Sequence, residues 1–262
     1  MTDQSTDRPN WNCYDPLPHN HWRKCACRFL EPCQSDLWSN KSAAQSARRF
    51  LRNRGFTRET LKRAGIGLNI KDRYGDRSYW GLPIGASVGA YGPIWLPRGL
   101  VFPWFDDEGL SRLYIRRLRN DVDPESDDPK ENTAGHRIPN CIAPLYGAQW
   151  VDSDLPVVLV EREFDALAIQ EEAGDLCSPA ATGHPGGARR KEWWRLLSNV
   201  PAVLVAFDSS DAGEEAKATW MNALPNAHQW ETYTSGNNDR MMPGCRLREW
   251  VQDGLESISP KP

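Results

Sequence analysis

The chain carries VVLVEREFDA at residues 157–166 and AVLVAFDSSDAG at residues 202–213, two apolar runs that each end in an acidic residue. A short, continuous apolar run is typical of a β-strand that is buried on both faces of a sheet. A shorter strand is expected at residues 180–182, and helices are expected at residues 163–172, 188–197 and 211–224. Strands that alternate with helices predict a parallel sheet with helices on its faces. The second half is therefore expected to be a small α/β domain.

Acidic residues follow both predicted strands. Glu161 ends the first strand and Asp165 follows it by one helical turn, while Asp208 and Asp211 follow the second strand. The carboxyl ends of parallel strands meet at one edge of a sheet, where ligands collect. Hard carboxylate oxygens without histidine are the ligands that Mg²⁺ or Mn²⁺ prefers. The alternative is that these acids only cap the helices that follow the strands. For the matching pair of strand ends, we favour the metal site.

The first half has a different pattern. Residues 41–54 have apolar positions at helical spacing, and Thr57 is expected to be the N-cap of a second short helix that ends before Gly65. Residues 74–99 are expected to form short strands, and residues 100–104 and 112–118 a hairpin with an acidic turn at 106–109. Residues 1–40 are expected to be loop-dominated, and residues 120–135 to form a polar loop.

Charge is distributed unevenly along the 262 residues, although the net charge is only −3. Up to Asn120 the chain has 20 Lys and Arg against 11 Asp and Glu, and from Asp121 onward it has 12 against 24. A basic first half suggests a polyanionic partner, and an acidic second half suggests bound cations. The apolar runs are too short to span a bilayer, which argues against a membrane protein. We expect a cytoplasmic protein without a membrane partner.

Cysteine and histidine are concentrated near the N-terminus, at Cys13, Cys25, Cys27, Cys33, His19 and His21. Thiolate and imidazole groups in one short segment are the ligands of tetrahedral zinc, so Zn²⁺ is a candidate cofactor. The segment lacks the paired C-x2-C knuckles of a zinc ribbon, and unliganded thiols or a packed Trp/Cys cluster are the alternatives. Seven cysteines, an odd number, fit a reducing cytosol rather than a disulfide framework.

The two acidic strand ends resemble the motifs of the TOPRIM domain. VEREFDAL at residues 160–167 is similar to Glu-Gly-x-x-Asp after an apolar strand, and FDSSDAG at residues 207–213 is similar to Asp-x-Asp-x-x-Gly. TGHPGG at residues 182–187 lies where family members carry a glycine-bearing turn. In the first half, FLRNRGFT at residues 50–57, RGLVFP at residues 98–103 and PLYG at residues 144–147 resemble the catalytic core of bacterial, DnaG-type primases. The similarity extends over about residues 42–250, in the family's order.

This resemblance implies RNA primer synthesis on a single-stranded DNA template, with NTPs as substrates. It makes Glu161, Asp165 and Asp208 the metal-binding acids, and Glu161 also the candidate for acid–base help at the nucleotidyl centre. Basic residues would hold template and nucleotide phosphates, a role that suits arginine because phosphate contacts need its positive charge. The candidates for it are Arg98, Arg112, Arg116, Arg117, Arg119 and Arg162.

The chain departs from the family pattern around the acids. Arg162 replaces the usual Gly after the glutamate, where a cation could clamp a phosphate or obstruct the site. Ser210 replaces the second Asp of Asp-x-Asp, and the adjacent Asp211 would point in a different direction. Further on, SGNND at residues 235–239 keeps only the last two residues of a Lys-Asp-x-Asn-Asp stretch, which leaves Asp239 as an outer metal ligand. We expect weaker metal binding, a preference for Mn²⁺, or a loss of catalysis.

Three functions follow as hypotheses. The first is a stand-alone primase of the phage or plasmid mobile-element type. The second is a non-catalytic accessory subunit that binds single-stranded DNA, and the third is a TOPRIM nuclease. A G-x4-G-K-[ST] motif is absent from the sequence, so a replicative helicase or another replication protein would be a separate partner. The expected organisation is a Cys/His/Trp-rich segment (1–40), a smaller basic α+β subdomain (41–150), a TOPRIM-like domain (151–235) and a C-terminal tail or helix (236–262).

Overall fold

The computed structural model describes residues 19–82, 92–118, 134–138, 144–233 and 246–258. Within these ranges, none of the helices has the length and apolar composition needed to cross a lipid bilayer. The helices of the first half are α1 (His19–Leu37), α2 (Ser42–Asn53) and α3 (Arg58–Arg63). Its strands are β1 (Gly67–Asn69), β2 (Arg73–Gly75), β3 (Ile94–Leu96), β4 (Gly99–Asp106), β5 (Gly109–Arg116) and β6 (Gly135–Arg137).

The prediction of a loop-dominated N-terminal segment is wrong for residues 19–37, which form the 19-residue helix α1. Its buried residues recur at helical spacing: Trp22, Cys25, Ala26, Phe29, Leu30, Cys33 and Leu37. Two of these residues are cysteines, which behave as small apolar side chains when buried. The pattern was missed because these cysteines were weighed as metal ligands, and because Pro32 inside the helix argues against helix continuation.

The two helices predicted at residues 41–54 and after Thr57 are confirmed. Helix α2 follows the apolar spacing, with Ala44, Ala47 and Leu51 buried. The Thr57 side chain caps α3 by accepting the backbone N–H of Thr60 at 3.3 Å. The predicted β-hairpin is also confirmed, as strands β4 and β5 pair in antiparallel register. The polar loop expected at residues 120–135 lies almost entirely outside the described residues.

The β4–β5 hairpin belongs to an antiparallel sheet with strand order β1-β4-β5-β6. Successive side chains of a strand point to opposite faces, so β5 has two different surfaces. Leu113 and Ile115 face the cluster that contains the buried side of α1. Tyr114 pairs in register with Phe102, whose side chain lies in the cluster shared with the second half. Arg112 and Arg116 alternate with Leu113 and Ile115 and therefore lie on the face that Tyr114 occupies.

The second half forms the predicted parallel sheet. Its strands are β7 (Val157–Val160), β8 (Ser178–Ala181), β9 (Val203–Val205) and β10 (Ala227–Gln229), in the order β10-β9-β7-β8. All three neighbouring pairs are parallel. The helices are α4 (Glu163–Ala173), α5 (Lys191–Ser198), α6 (Asp211–Ala223) and α7 (Leu247–Ile258). Helix α5 begins three residues later than expected because Ala188 has a φ of 55°, outside the helical region.

Several contacts join the two halves. The Phe164 ring at the start of α4 packs against Phe56, at 5.7 Å between centroids, and against Phe102 at 4.9 Å. Tyr146, in the predicted PLYG motif, exchanges two 2.9 Å backbone hydrogen bonds with Ala181 and so extends the edge of the parallel sheet. The Phe164 contacts hold the start of α4 against the face of the β4–β5 hairpin that carries Phe102 and Arg116.

Candidate nucleotidyl-transfer site

The carboxyl ends of β7 and β9 bring two of the predicted acids together. These strands are direct neighbours, and Glu161 and Asp208 follow them. The backbone N–H of Asp208 donates to Oε1 of Glu161 at 3.0 Å. Gly213 closes over the pair, because a Cβ at this position would lie 2.1 Å from the Asp208 carbonyl oxygen and 3.0 Å from Glu161 Oε1. Only glycine allows helix α6 to start this close to the acids, which explains the glycine of the second motif.

Burial and the nearby cations act in opposite directions on the pKa of Glu161. Its side chain is buried, and desolvation is the main cause that raises its pKa above the usual value, followed by the negative charge of Asp208. The backbone N–H of Asp208 and the cations Arg162 and Lys217 lower the pKa in turn. The pair is thus a concentration of negative charge that nearby cations stabilise.

Arg162 pairs directly with Asp208. Its guanidinium Nη2 forms an ion pair with Asp208 Oδ2, and both side chains are partly exposed. This arginine could clamp a phosphate or obstruct the site, and the structure places it on the acid rather than away from the site. A second cation, Lys217, was missed by the sequence analysis. It is buried in α6, and its Nζ donates to Glu214 Oε1 at 2.6 Å.

The remaining predicted metal ligands are placed differently. The Ser210 hydroxyl accepts the backbone N–H of Gly213 at 3.1 Å and caps α6. Asp211 lies exposed in the first turn of α6, which is the capping role given as the alternative for these acids. Asp165 is buried in the first turn of α4. Asp239 lies outside the described residues.

Divalent metal is the cofactor that the resemblance implies, and the acid pair fits it in part. Glu161 and Asp208 offer hard oxygens from adjacent strand ends, and Mg²⁺ in phosphate-handling sites is often held by one or two carboxylates with substrate phosphates. Within the described part of the chain, three or more acidic, Cys or His side chains do not gather into a metal-binding group. The two carboxylates would therefore hold the ion together with the substrate, after Arg162 releases Asp208.

A basic face lies against the start of α4. The Arg116 guanidinium is 5.2 Å from the centroid of the Phe164 ring, and that of Arg112 is 5.0 Å from Trp104. Arg137, which the sequence analysis missed, is opposite Tyr114 in register, and its Nη2 donates to the Gly183 carbonyl at 2.9 Å. Arg137 is assigned to this face by its pairing register with β5. The sequence alone does not reveal that register.

Glu163, in the first turn of α4, is buried and interacts electrostatically with these arginines. Burial raises its pKa to about 7, and the positive charges of Arg137, Arg116 and Arg112 oppose that rise. Burial also lowers the pKa of Arg112 to about 10, helped by repulsion from Arg137 and opposed by Glu163. The basic face therefore carries more positive than negative charge, which favours a phosphate-bearing ligand.

The predicted phosphate-binding arginines divide between two surfaces. Arg112 and Arg116 belong to the basic face just described. Arg117 is the next residue after β5 and contacts Trp95 instead, with its guanidinium 5.6 Å from that ring. Arg98 is exposed beside β3, and its backbone N–H donates to Asp72 Oδ1 at 2.6 Å. Arg119 lies outside the described residues.

The structure does not support the zinc hypothesis. Cys25 and Cys33 are buried in the packing of α1, and the Cys25 thiol donates to the Tyr79 carbonyl at 3.0 Å. His21 is 3.7 Å from that thiol but also contacts the Tyr79 carbonyl. Cys27 is only partly buried. Cys13 and the side chain of His19 lie outside the described part. Cys25 and Cys33 instead belong to a packed Trp/Cys cluster, which was one of the alternatives to zinc.

Comparison with known proteins supports the fold. The chain is similar to a DnaG catalytic core, with a TM-score of 0.64 and 18% identity over 90% of this chain and 79% of that one. It is also similar to the RNA polymerase domain of Mycobacterium tuberculosis DnaG, with a TM-score of 0.62 and 16% identity over 92% and 83% of the two chains. A DnaG primase catalytic domain bound to single-stranded DNA matches with a TM-score of 0.60 and 18% identity, over 91% and 80%. Neither a protein-family model nor a curated protein sequence matches this chain.

Proposed function

We propose that this chain, which has the fold of a bacterial-type primase catalytic core, synthesises RNA primers on single-stranded DNA. The observation that carries the proposal is the pairing of Glu161 with Asp208 at adjacent strand ends, just before helix α4, whose Phe164 contacts Arg116 of the basic face. An acid pair that can hold a divalent ion, beside cations that can hold phosphates, suits nucleotidyl transfer. DNA template and NTPs are the proposed ligands.

Each side chain has a defined part in this proposal. Arg112, Arg116 and Arg137 bind the phosphates of template or nucleotide and orient them toward the acid pair. Glu161 and Asp208 would hold a divalent ion, which would stabilise the charge that develops on the reacting phosphate. Arg162 releases Asp208 and becomes free to contact an incoming phosphate. Arginine is suited to this exchange because its planar guanidinium pairs with carboxylate and phosphate alike.

The biological setting belongs to the proposal as well. We propose that the protein acts in the cytoplasm, in the replication of a phage or plasmid mobile element. A separate helicase or replication protein would bring it to its template. The accessory role, DNA binding without synthesis, is the competing function, because Arg162 covers Asp208 and Ser210 supplies a helix cap rather than a carboxylate.

Template-dependent incorporation of labelled NTPs into RNA, with Mg²⁺ compared with Mn²⁺, tests the proposal. The 262-residue chain should synthesise short RNA on single-stranded DNA, and Glu161→Gln and Asp208→Asn should each lower that synthesis by a factor on the order of 10²–10³. Asp154→Asn is the matched control, because Asp154 is exposed before the opposite, amino end of β7. Binding without incorporation would establish the accessory role, and DNA cleavage without NTPs would establish a nuclease. Normal synthesis by both acid variants would overturn the proposal.

A further inference from the structure

Lys217 is a buried cation beside the acid pair. It lies in α6, four residues after Gly213, and residues four apart lie on the same face of a helix. A Cβ at Gly213 would lie 3.0 Å from Glu161 Oε1, so this is the face of α6 that meets the acids. The Lys217 side chain is only 6% exposed. Lysine is almost never buried to this degree unless negative charge compensates it.

Glu214 compensates the charge of Lys217 only in part. The Lys217 Nζ donates to Glu214 Oε1 at 2.6 Å, but the Glu214 side chain is 53% exposed, so water screens its charge. The positive charge of Lys217 also acts on Glu161, where it lowers the pKa that burial raises. The lysine therefore interacts with two carboxylates, one on its own helix and one at the end of β7.

An open hollow of about 750 Å³ lies at the carboxyl ends of β9 and β10. Lys217 and Glu214 line it together with Thr232 and with Ser209, the residue that follows Asp208. The hollow therefore opens next to the acid pair. A cation that approaches Asp208 from this side meets the positive charge of Lys217.

The two cations near the acid pair differ in how firmly they are held. The Arg162 side chain is 41% exposed and can leave Asp208, whereas Lys217 is buried and bonded within its own helix. When Arg162 leaves, Glu161 and Asp208 carry two negative charges beside the one positive charge of Lys217. A single divalent ion already outweighs that difference, and a second would be repelled by the sum of the first ion and the lysine.

We propose that Lys217 is a fixed counter-ion of the acid pair and takes the place of one divalent ion, so that Glu161 and Asp208 bind a single Mg²⁺ or Mn²⁺. This inference rests on the proposed function, because it assigns the ion count of the same site. Many enzymes that cleave or form phosphodiester bonds hold two divalent ions between their carboxylates. Here the lysine would replace the charge of the second ion, and the hydroxyl of Ser210, which caps α6, agrees with a site built for one ion.

Titration with Mn²⁺, followed by electron paramagnetic resonance of the free ion, counts the bound ions without any RNA synthesis. The 262-residue chain should bind one Mn²⁺ that Asp208→Asn removes. Lys217→Met keeps an unbranched side chain and removes the charge, so Mn²⁺ should bind at least about tenfold more tightly. Lys217→Arg keeps the charge and should bind Mn²⁺ as the wild type does. Lys62→Met, at an exposed lysine of α3, is the matched control and should stay within about twofold of wild type.

Lys217→Met also releases Glu214, so the variant is repeated with Glu214→Gln, and the tighter Mn²⁺ binding should persist. Loss of the gain in that double variant would overturn the inference, because Glu214 would then be the new ligand. Wild-type affinity in Lys217→Met would overturn it as well.

The ion count of the wild type decides the inference even if Lys217→Met fails to fold. Two Mn²⁺ ions that both depend on Asp208, or none, would overturn it. Primer synthesis is measured separately by NTP incorporation, so a wild type that binds two such ions and makes RNA overturns this inference alone. A chain that binds one such ion and makes no RNA overturns the proposed function and leaves the ion count standing.

Discussion

The backbone N–H of Asp208 donates to the Glu161 carboxylate at 3.0 Å and joins the ends of two neighbouring parallel strands. The hydrogen bond uses the main chain of Asp208, so its carboxylate stays available for Arg162 or for a cation. Burial and the negative charge of Asp208 raise the pKa of Glu161, and this hydrogen bond opposes that rise. The backbone thus fixes the geometry of the pair, while the Asp208 carboxylate can exchange Arg162 for another cation.

Glu161→Gln should separate catalysis from stability. An amide oxygen can still accept the Asp208 N–H, so the strand ends stay joined, while the negative charge is lost. We expect NTP incorporation to fall by a factor on the order of 10²–10³. Burial raises the pKa of Glu161, so its ionised form destabilises the fold as pH rises, and the variant should melt at the same or a higher temperature at pH 8. Incorporation and thermal melting measured together check this, and a large fall in melting temperature would show that the glutamate is structural.

Arg162→Gly should strengthen metal binding. The wild-type guanidinium competes with a divalent ion for Asp208, and a partly exposed ion pair of this kind is worth roughly 0.2–1 kcal/mol. Removing it should therefore tighten Mn²⁺ binding by about 1.5-fold to fivefold, measured by electron paramagnetic resonance of free Mn²⁺. Arg162→Lys, which keeps the positive charge, is the control and should bind Mn²⁺ as wild type does. Weaker Mn²⁺ binding by the glycine variant would contradict competition at Asp208.

Ser210 offers a test of whether the missing carboxylate limits the site. Asp is as good an N-cap as Ser, so Ser210→Asp should keep the α6 cap and add a charged oxygen next to the acid pair. We expect equal thermal stability and tighter Mn²⁺ binding. Ser210→Ala, the comparison variant, loses the bond to Gly213 and should be destabilised by about 1 kcal/mol, seen in urea unfolding. Unchanged Mn²⁺ affinity in Ser210→Asp would show that the side chain points away from the ion.

The sequence predicted the parallel sheet, helices α2 and α3 and the β4–β5 hairpin because their signals are local. Val157–Val160 is a continuous apolar run, and Thr57 is a capping residue at the start of a periodic segment. Helix α1 was missed because its apolar face includes cysteines and its interior includes Pro32. Strand β6 was missed because three residues without an apolar pattern become a strand only by pairing with β5.

Only the residues of the candidate site that lie at strand ends could be predicted from the sequence. Glu161 and Asp208 follow neighbouring strands, so parallel topology alone brings them together. Arg137 and Lys217 come from a strand of the other sheet and from the interior of a helix, and no spacing in the sequence relates them to the acids. Arg116 and Arg117 lie on opposite faces of the sheet because strand register fixes the face of each side chain. These features needed the tertiary structure.

Glu163 should make stability depend on pH. Its carboxyl is buried, and its pKa is raised from 4.5 to about 7 in the folded state. The folded protein therefore holds a proton that the unfolded chain has lost between these two pH values, and stability falls as pH rises through them. Glu163→Gln removes that dependence, so its free energy of unfolding should exceed that of wild type by up to about 3 kcal/mol at pH 8 and by much less at pH 5. Urea unfolding at both pH values measures the difference. A variant less stable than wild type at pH 8 would show instead that attraction to Arg112, Arg116 and Arg137 outweighs burial.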